Sequence, residues 1–213
     1  MFTGIIQATG KIVQIDSTGS NDNDGLRLSI SSGSLDMSDV SIGDSIAVNG
    51  VCLTVKELFL PLFTVDVSSE TLQCTCGLNI IGQTVNLEKA MRLSDRLGGH
   101  LVSGHIDDTG EVVTFELSKE DGENYLLMIR SPRSLLRYIV HKGSITVNGV
   151  SLTVNKIDDD KFSVNLIPHT LSVTTLSELK PGMHVNLETD MLARYVENLL
   201  DMSGNCKDEN QYN

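Results

Sequence analysis

Cysteine is scarce in this chain. The four cysteines, Cys52, Cys74, Cys76 and Cys206, are too few for a disulfide framework, and none forms a C-x-x-C pair. Cys74 and Cys76 sit too close together for a zinc site and have no matching second pair, so no metal is expected. A reduced, cytoplasmic setting is the expectation. Long apolar runs are missing as well, since none reaches the roughly 18 residues of a membrane span. The opening Met1-Phe2-Thr3-Gly4-Ile5-Ile6 has no basic region and no long apolar stretch, and is not expected to act as a signal peptide. Positive charge is in short supply: Lys and Arg number 16 against 28 Asp and Glu, a formal charge of −12. Nucleic-acid binding needs clustered Lys and Arg to displace counterions, so no nucleic-acid partner is expected, and no anionic membrane surface either. A small, neutral or weakly charged ligand suits this balance.

What the chain does have is an internal repeat. Val48-Asn49-Gly50-Val51-Cys52-Leu53-Thr54-Val55 recurs as Val147-Asn148-Gly149-Val150-Ser151-Leu152-Thr153-Val154, seven of eight positions agreeing at an offset of 99. Val85-Asn86-Leu87-Glu88 returns unchanged as Val185-Asn186-Leu187-Glu188 at an offset of 100. Gly4 to Gly10 aligns with Gly104 to Gly110, and Ser34-Leu35 with Ser134-Leu135. Four blocks in the same order indicate duplication. The period is far longer than the 20–50 residues of a solenoid, so each copy is a domain. The expected units are 1–97, 98–190 and a tail, 191–213.

Within each copy the pattern is that of strands. Ser45 to Val48 alternates, Asn49-Gly50 supplies a two-residue turn, and Cys52 to Val55 continues extended. Ser144 to Val154 repeats this hairpin, and Lys161 to Leu166 alternates too. Short strands with turn signals about every ten residues indicate an antiparallel barrel or sandwich. A short helix is expected from Ser134 to Val140, after Pro132. Met191, Leu192, Tyr195, Val196, Leu199 and Leu200 form one stripe at helical spacing, with a polar, frayed end expected past Ser203.

Several residues invite chemistry. Gly98-Gly99-His100-Leu101-Val102-Ser103-Gly104-His105-Ile106-Asp107 lies at the junction of the copies. Its histidines are five apart, share no helix face and belong to no H-E-x-x-H motif; spacing alone favours a structural role. The glycines imply close approach of backbone to a ligand or another strand. Cys52 reads either as a small buried hydrophobe or as a nucleophile, and its counterpart Ser151 points to a polar neighbourhood. Asp66, Ser68 and Glu70 alternate along a stretch read as extended, with Asn165, Pro168 and His169 at or beside the equivalent places. That pattern is a solvated strand face, or an edge that pairs with a planar heterocycle. Lys142 reads as a surface lysine.

Taken together, Met1-Phe2-Thr3-Gly4-Ile5, Asn49 to Val55, Gly98 to His105, Lys142-Gly143, Asn148 to Thr153 and Ile167-Pro168-His169-Thr170-Leu171 resemble the riboflavin synthase family, the alpha-chain type with tandem lumazine-binding barrels. The resemblance implies an all-β fold: two tandem six-stranded Greek-key antiparallel barrels with short helices and a C-terminal α-helix. It implies a transferase that dismutes two molecules of 6,7-dimethyl-8-ribityllumazine into riboflavin and 5-amino-6-(D-ribitylamino)uracil, the last step of riboflavin biosynthesis. No cofactor is implied. The implied assembly is a homotrimer with sites between subunits, and association with lumazine synthase is a further expectation.

The implied substrate contacts fall on Gly4, Ile5 and Ile6, on Cys52, Leu53 and Thr54, and on Asp66, Val67, Ser68, Ser69, Glu70 and Thr71. In the second copy they fall on Gly104, His105 and Ile106, on Lys142, on Ser151, Leu152 and Thr153, and on Asn165, Leu166, Ile167, Pro168, His169 and Thr170. Cys52, His105 and Ser151 are the catalytic candidates: His105 as the base that takes a proton from the C7 methyl, and Cys52, Ser151 or water as the nucleophile at C7 of the other molecule. Two molecules of one compound must play different roles, so the copies must differ where chemistry is decided. They do at Ile5 against His105, Cys52 against Ser151, Asp66 against Asn165 and Glu70 against His169. The alternatives are a non-catalytic lumazine- or flavin-binding antenna protein, a flavin-reductase-like barrel and a purely structural tandem barrel.

Overall fold

The computed structural model describes residues 1–19, 25–118 and 122–208, with side chains as far as residue 200. The first copy contributes β1 (Ala8–Ser17), β2 (Leu26–Ser31), β3 (Ser45–Val48), β4 (Val51–Phe59), β5 (Leu62–Val67) and β6 (Thr84–Lys89). The second contributes β7 (Asp108–Leu117), β8 (Tyr125–Arg130), β9 (Ser144–Val147), β10 (Val150–Asp158), β11 (Lys161–Leu166) and β12 (His184–Thr189). Around the first barrel the order is β1-β2-β5-β4-β3-β6, and β6 pairs back onto β1. The second barrel repeats that order with β7 to β12. Every pairing is antiparallel. The structure is therefore the expected all-β pair of six-stranded Greek-key barrels.

Closure of so small a barrel needs sharp bends, and bulges supply them. Register shifts fall between Ile12 and Gln14 and between Val55 and Glu57. They recur between Val112 and Thr114 and between Val154 and Lys156. Each barrel has its own apolar interior, with Ile12, Leu28, Phe63 and Leu87 fully buried in the first and Val112, Leu127, Val164 and Leu187 in the second. Period-2 alternation puts these residues inside, and burying each side chain stabilises the fold by about 1.5–3 kcal/mol.

The two Asn-Gly turns do more than close hairpins. Asn49 and Asn148 have φ of 47° and 48°, followed by Gly50 and Gly149 at 84° and 80°, the geometry of a type I′ turn. The turns meet tip to tip: a Cβ on Gly50 would lie 2.8 Å from the Gly149 nitrogen. Buried asparagines lace the junction. Asn86 Nδ2 donates to the Asn148 carbonyl at 2.9 Å, and Asn186 Nδ2 to the Asn49 carbonyl at 3.0 Å. Asn49 Oδ1 accepts from the Asn86 N–H and Asn148 Oδ1 from the Asn186 N–H, both at 2.8 Å. The copies thus face each other about an approximate two-fold axis.

Four short helical pieces complete the fold: α1 (Ser69–Cys74), α2 (Arg133–Leu136), α3 (Pro168–Val173) and a 3-10 turn at Thr175–Glu178. The extended reading of Asp66 to Glu70 is corrected here. The strand ends at Val67; Ser68 caps α1, its Oγ accepting from the Thr71 N–H at 3.1 Å, and Glu70 lies in the first helical turn. Likewise Pro168 and His169 open α3. The expected helix at Ser134 to Val140 is shorter, because beyond Leu136 the chain makes tight turns, Tyr138 N–H to the Leu135 carbonyl and Ile139 N–H to the Leu136 carbonyl. The tail is a helix, α4, over Met191–Asp208. It runs past Ser203, since intrahelical hydrogen bonding does not require apolar side chains. Two ion pairs fasten it, Arg194 with Asp107, and Arg137 with Glu197 at 2.9 Å. Leu192, Tyr195, Val196, Leu199 and Leu200 remain exposed.

Candidate functional site

The segments before β1 and β7 cross between the barrels. Phe2 and Val102 exchange backbone hydrogen bonds at 2.8 and 3.1 Å, an antiparallel bridge on the approximate axis. The Gly4 carbonyl then accepts from the Ser151 N–H at 2.8 Å, and the Gly104 carbonyl from the Cys52 N–H at 2.9 Å. Glycine is required at both places. With φ of 76° and 82°, a Cβ would sit 2.6 Å from Ser151 Cβ or Cys52 Cβ. Ile6 packs against the second barrel's interior and Ile106 against the first's.

This crossing assembles one pocket on the first barrel. Cys52, Glu70, Thr71, Cys74 and Thr75 form one side and Gly104, His105 and Ile106 the other, around a cavity of about 200 Å³. The expected catalytic residues Cys52 and His105 are therefore brought together, though 53 positions apart in sequence. Cys52 is half-buried against Phe2, Ala47 and Val102. The equivalent strand position, Ser151, is also half-buried but has a different companion: His100 Nδ1 lies 2.8 Å from Ser151 Oγ. His100 is 8% exposed, and its Nε2 is buried with no hydrogen-bond partner among the described residues. Burial pushes its pKa down, against the weaker pull of Asp190, so the imidazole is neutral at pH 7.

The outer faces of the barrels differ in charge. On the first, Asp66 is held by Arg27 at 2.7 Å and by Lys56 at 3.5 Å, and the hydrogen bond from Arg27 lowers its pKa. The matching residues of the second are Asn165, Leu126 and Asn155. They line a groove of about 660 Å³ together with His141 and Lys142. Lys142 is exposed, with φ of 63°, and its Nζ donates to Asn155 Oδ1 at 3.3 Å.

Other expected contacts scatter. Leu53, Val67 and Leu166 point into the barrels and are buried, and Leu152 packs against the second core. Thr54, Thr153, Ser68, Ile5, Ile167, Pro168 and His169 are exposed, while Ser69 and Thr170 are half-buried. Sequence reasoning did not assign His100, although the G-G-H motif contained it. It also passed over Glu88 and Glu188, visible only as a repeated V-N-L-E, and Cys74 and Thr75. Cys76 is held apart from this chemistry: burial pushes its thiol up to about 11, and Sγ donates to Asn186 Oδ1. Cys206 lies beyond the side chains described. Among the described residues no group of three or more His, Cys, Asp or Glu is placed to hold a metal ion.

Comparison with known proteins agrees with this duplication. The lumazine binding domain family matches residues 3–90 and again 103–190. Riboflavin synthase of Photobacterium phosphoreum is 47% identical over 201 residues, covering 94% of this chain and 89% of that protein. Riboflavin synthase of Bacillus subtilis (strain 168) is 44% identical over 209 residues, covering 97% and 93%. Riboflavin synthase of Mycobacterium tuberculosis (strain ATCC 25618 / H37Rv) is 46% identical over 210 residues, covering 96% and 100%. Among solved structures, LumP complexed with 6,7-dimethyl-8-(1'-D-ribityl) lumazine superposes with a TM-score of 0.75 at 28% identity, covering 89% of this chain and 99% of that one. LumP complexed with riboflavin gives 0.76 at 30% identity, with the same coverage.

Proposed function

The chain belongs to the riboflavin synthase family, and from that premise we propose how its two copies divide the work. It is a transferase that dismutes two molecules of 6,7-dimethyl-8-ribityllumazine. A four-carbon unit passes from one to the other, giving riboflavin and 5-amino-6-(D-ribitylamino)uracil. The functional units are 1–97 and 98–190, each binding one lumazine, followed by the tail helix.

The observation that carries the division of roles is the contact of His100 Nδ1 with Ser151 Oγ at 2.8 Å. A neutral imidazole accepts the hydroxyl proton as Oγ adds to C7 of the lumazine held at the second barrel. The first pocket lacks that couple and presents His105 beside Cys52. There His105 takes a proton from the C7 methyl, leaving a carbanion delocalised into the ring. That methyl carbon attacks C6 of the partner activated by Ser151, and a second C–C bond joins the neighbouring methyl carbon to the partner's C7 as Oγ leaves and recovers its proton from His100. The partner's two ring C–N bonds then break, the methyl protons passing to the released aminouracil, and its four-carbon unit is transferred. Holding both molecules in register accounts for much of the acceleration.

The two pockets that meet belong to different subunits of a homotrimer. Support comes from α4, whose Leu192, Tyr195, Val196 and Leu199 stay exposed on the single chain. No helix among the described residues is long and apolar enough to cross a membrane. Cys52, Cys74 and Cys76 are all free thiols, which fits a reducing, cytoplasmic setting.

Single-turnover rates of Ser151→Ala and His100→Gln test this reading. Each should fall by about 100-fold or more, the usual contribution of positioned acid–base groups. A loss of less than about tenfold for both, equivalent to roughly 1.4 kcal/mol, would overturn the assigned roles.

A further inference from the structure

Two buried carboxylates take no part in the chemistry above. Glu88 and Glu188 are each 3% exposed, at the ends of β6 and β12. Glu88 Oε1 accepts from the Thr3 N–H and the Thr3 hydroxyl, both at 2.7 Å, and Oε2 accepts from the Gly4 N–H at 3.0 Å. Glu188 repeats the pattern: Oε1 with the Ser103 N–H at 2.6 Å and hydroxyl at 2.7 Å, Oε2 with the Gly104 N–H at 3.0 Å. Burying a carboxylate is costly, and three donors offset that cost. A fold that needed only barrel closure would have an apolar residue here. The donors identify what the carboxylates are for, namely the two crossing segments.

We propose that Glu88 and Glu188 are positioning residues that act crosswise, each fixing the segment that reaches the candidate nucleophile of the other barrel. Glu188 belongs to the second barrel, yet the segment it grips supplies Gly104, His105 and Ile106 to the Cys52 pocket of the first. Glu88 belongs to the first barrel, yet it grips Gly4, whose carbonyl accepts from the Ser151 N–H in the second. Each link runs from carboxylate to glycine N–H, then from the same glycine's carbonyl to the amide of the nucleophile candidate. The packing of Ile106 on the first core and of Ile6 on the second keeps the segments in place. The Cys52 pocket of the first barrel thus takes one wall from the second, and the Ser151 strand of the second is held by a segment of the first.

This inference rests on the two-pocket reading, but its deciding measurement, alkylation of Cys52, does not depend on turnover. Glu→Gln is the informative change. A glutamine offers one carbonyl oxygen, and its NH2 then opposes a backbone N–H, so the grip loosens with little change in volume. The reporter is the alkylation rate of Cys52 by iodoacetamide, resolved peptide by peptide from Cys74, Cys76 and Cys206. Glu188→Gln should change the Cys52 rate by about threefold or more, because it frees the Gly104 wall. Glu88→Gln should leave that rate unchanged and instead shift the acid limb of kcat, which reports the His100 base held against Ser151. Equal effects of both variants on Cys52, or none from Glu188→Gln, would overturn the crosswise assignment. If either variant fails to fold, Ser103→Ala and Thr3→Val remove one donor each and are judged by the same crossing criterion. A wild-type chain that made no riboflavin would contradict the proposed function while leaving the alkylation result readable.

Discussion

Ser151 and Cys52 differ by a single atom, oxygen for sulfur, and occupy matching strand positions, yet their surroundings make them different reagents. The serine has a buried neutral imidazole 2.8 Å away, whereas the thiol packs against Phe2, Ala47 and Val102. The His100 pKa is pushed down by burial, so the unfolded chain binds the proton more readily. The stability that comes with neutral His100 is fully present above about pH 6.5, the unfolded value, and is lost as pH falls from there toward the folded value. Glu88 and Glu188 act in the opposite sense. Burial raises their pKa values, so their contribution is greatest below the ordinary carboxyl value and is lost as pH rises through the folded one. The clean measurement is therefore a difference between wild type and His100→Gln. Between pH 7 and 5 the wild type should lose more unfolding free energy than the variant, and its kcat should hold to below about pH 6.5 before the acid limb begins. An acid limb centred above that value would contradict a neutral buried base. The sequence shows the G-G-H motif, but spacing alone favours a structural role for its histidines and gives no sign of a partner for His100. Its approach to Ser151, 51 positions away, depends on how two barrels dock, and no local pattern encodes that.

Among the elements, the hairpins were the most legible. Alternation and the Asn-Gly pairs place β3-β4 and β9-β10 correctly because each strand buries one face and each turn needs positive φ. The turns' second duty, meeting tip to tip, was not legible. Gly50 combines φ of 84° with a virtual Cβ 2.8 Å from the Gly149 nitrogen. Gly50→Ala should therefore lower unfolding free energy by more than the roughly 1–2 kcal/mol of a left-handed backbone alone. Urea unfolding measures this, and an unchanged midpoint would mean that the turns do not pack as described. Alternation of Asp66, Ser68 and Glu70 predicts extended chain where α1 begins, and α3 occupies the equivalent place in the second copy. Each is six residues long, too short to show a helical period. The available signal was local: Ser68 as a cap and Pro168 at the first turn. The correction matters for the site, since the first turn of α1 is what brings Glu70 and Thr71 into the Cys52 pocket.

At the scale of the whole molecule, duplication and asymmetry act together. The repeated blocks were readable in sequence and became two barrels of the same strand order. The substitutions between copies were readable too, and the structure gives several of them physical content. One outer face carries the Arg27–Asp66–Lys56 ion cluster, and the other a groove with Lys142 and Asn165. On the proposed reading, sameness lets one compound bind to both copies, and difference lets it react with itself. Stoichiometry tests that claim most directly: the full chain is incubated with 6,7-dimethyl-8-ribityllumazine alone, following lumazine loss and the appearance of riboflavin and the aminouracil. One riboflavin and one 5-amino-6-(D-ribitylamino)uracil are expected for every two lumazines consumed, with nothing else added. Bound, fluorescent lumazine that is never consumed, or a reaction that requires NAD(P)H, would contradict it.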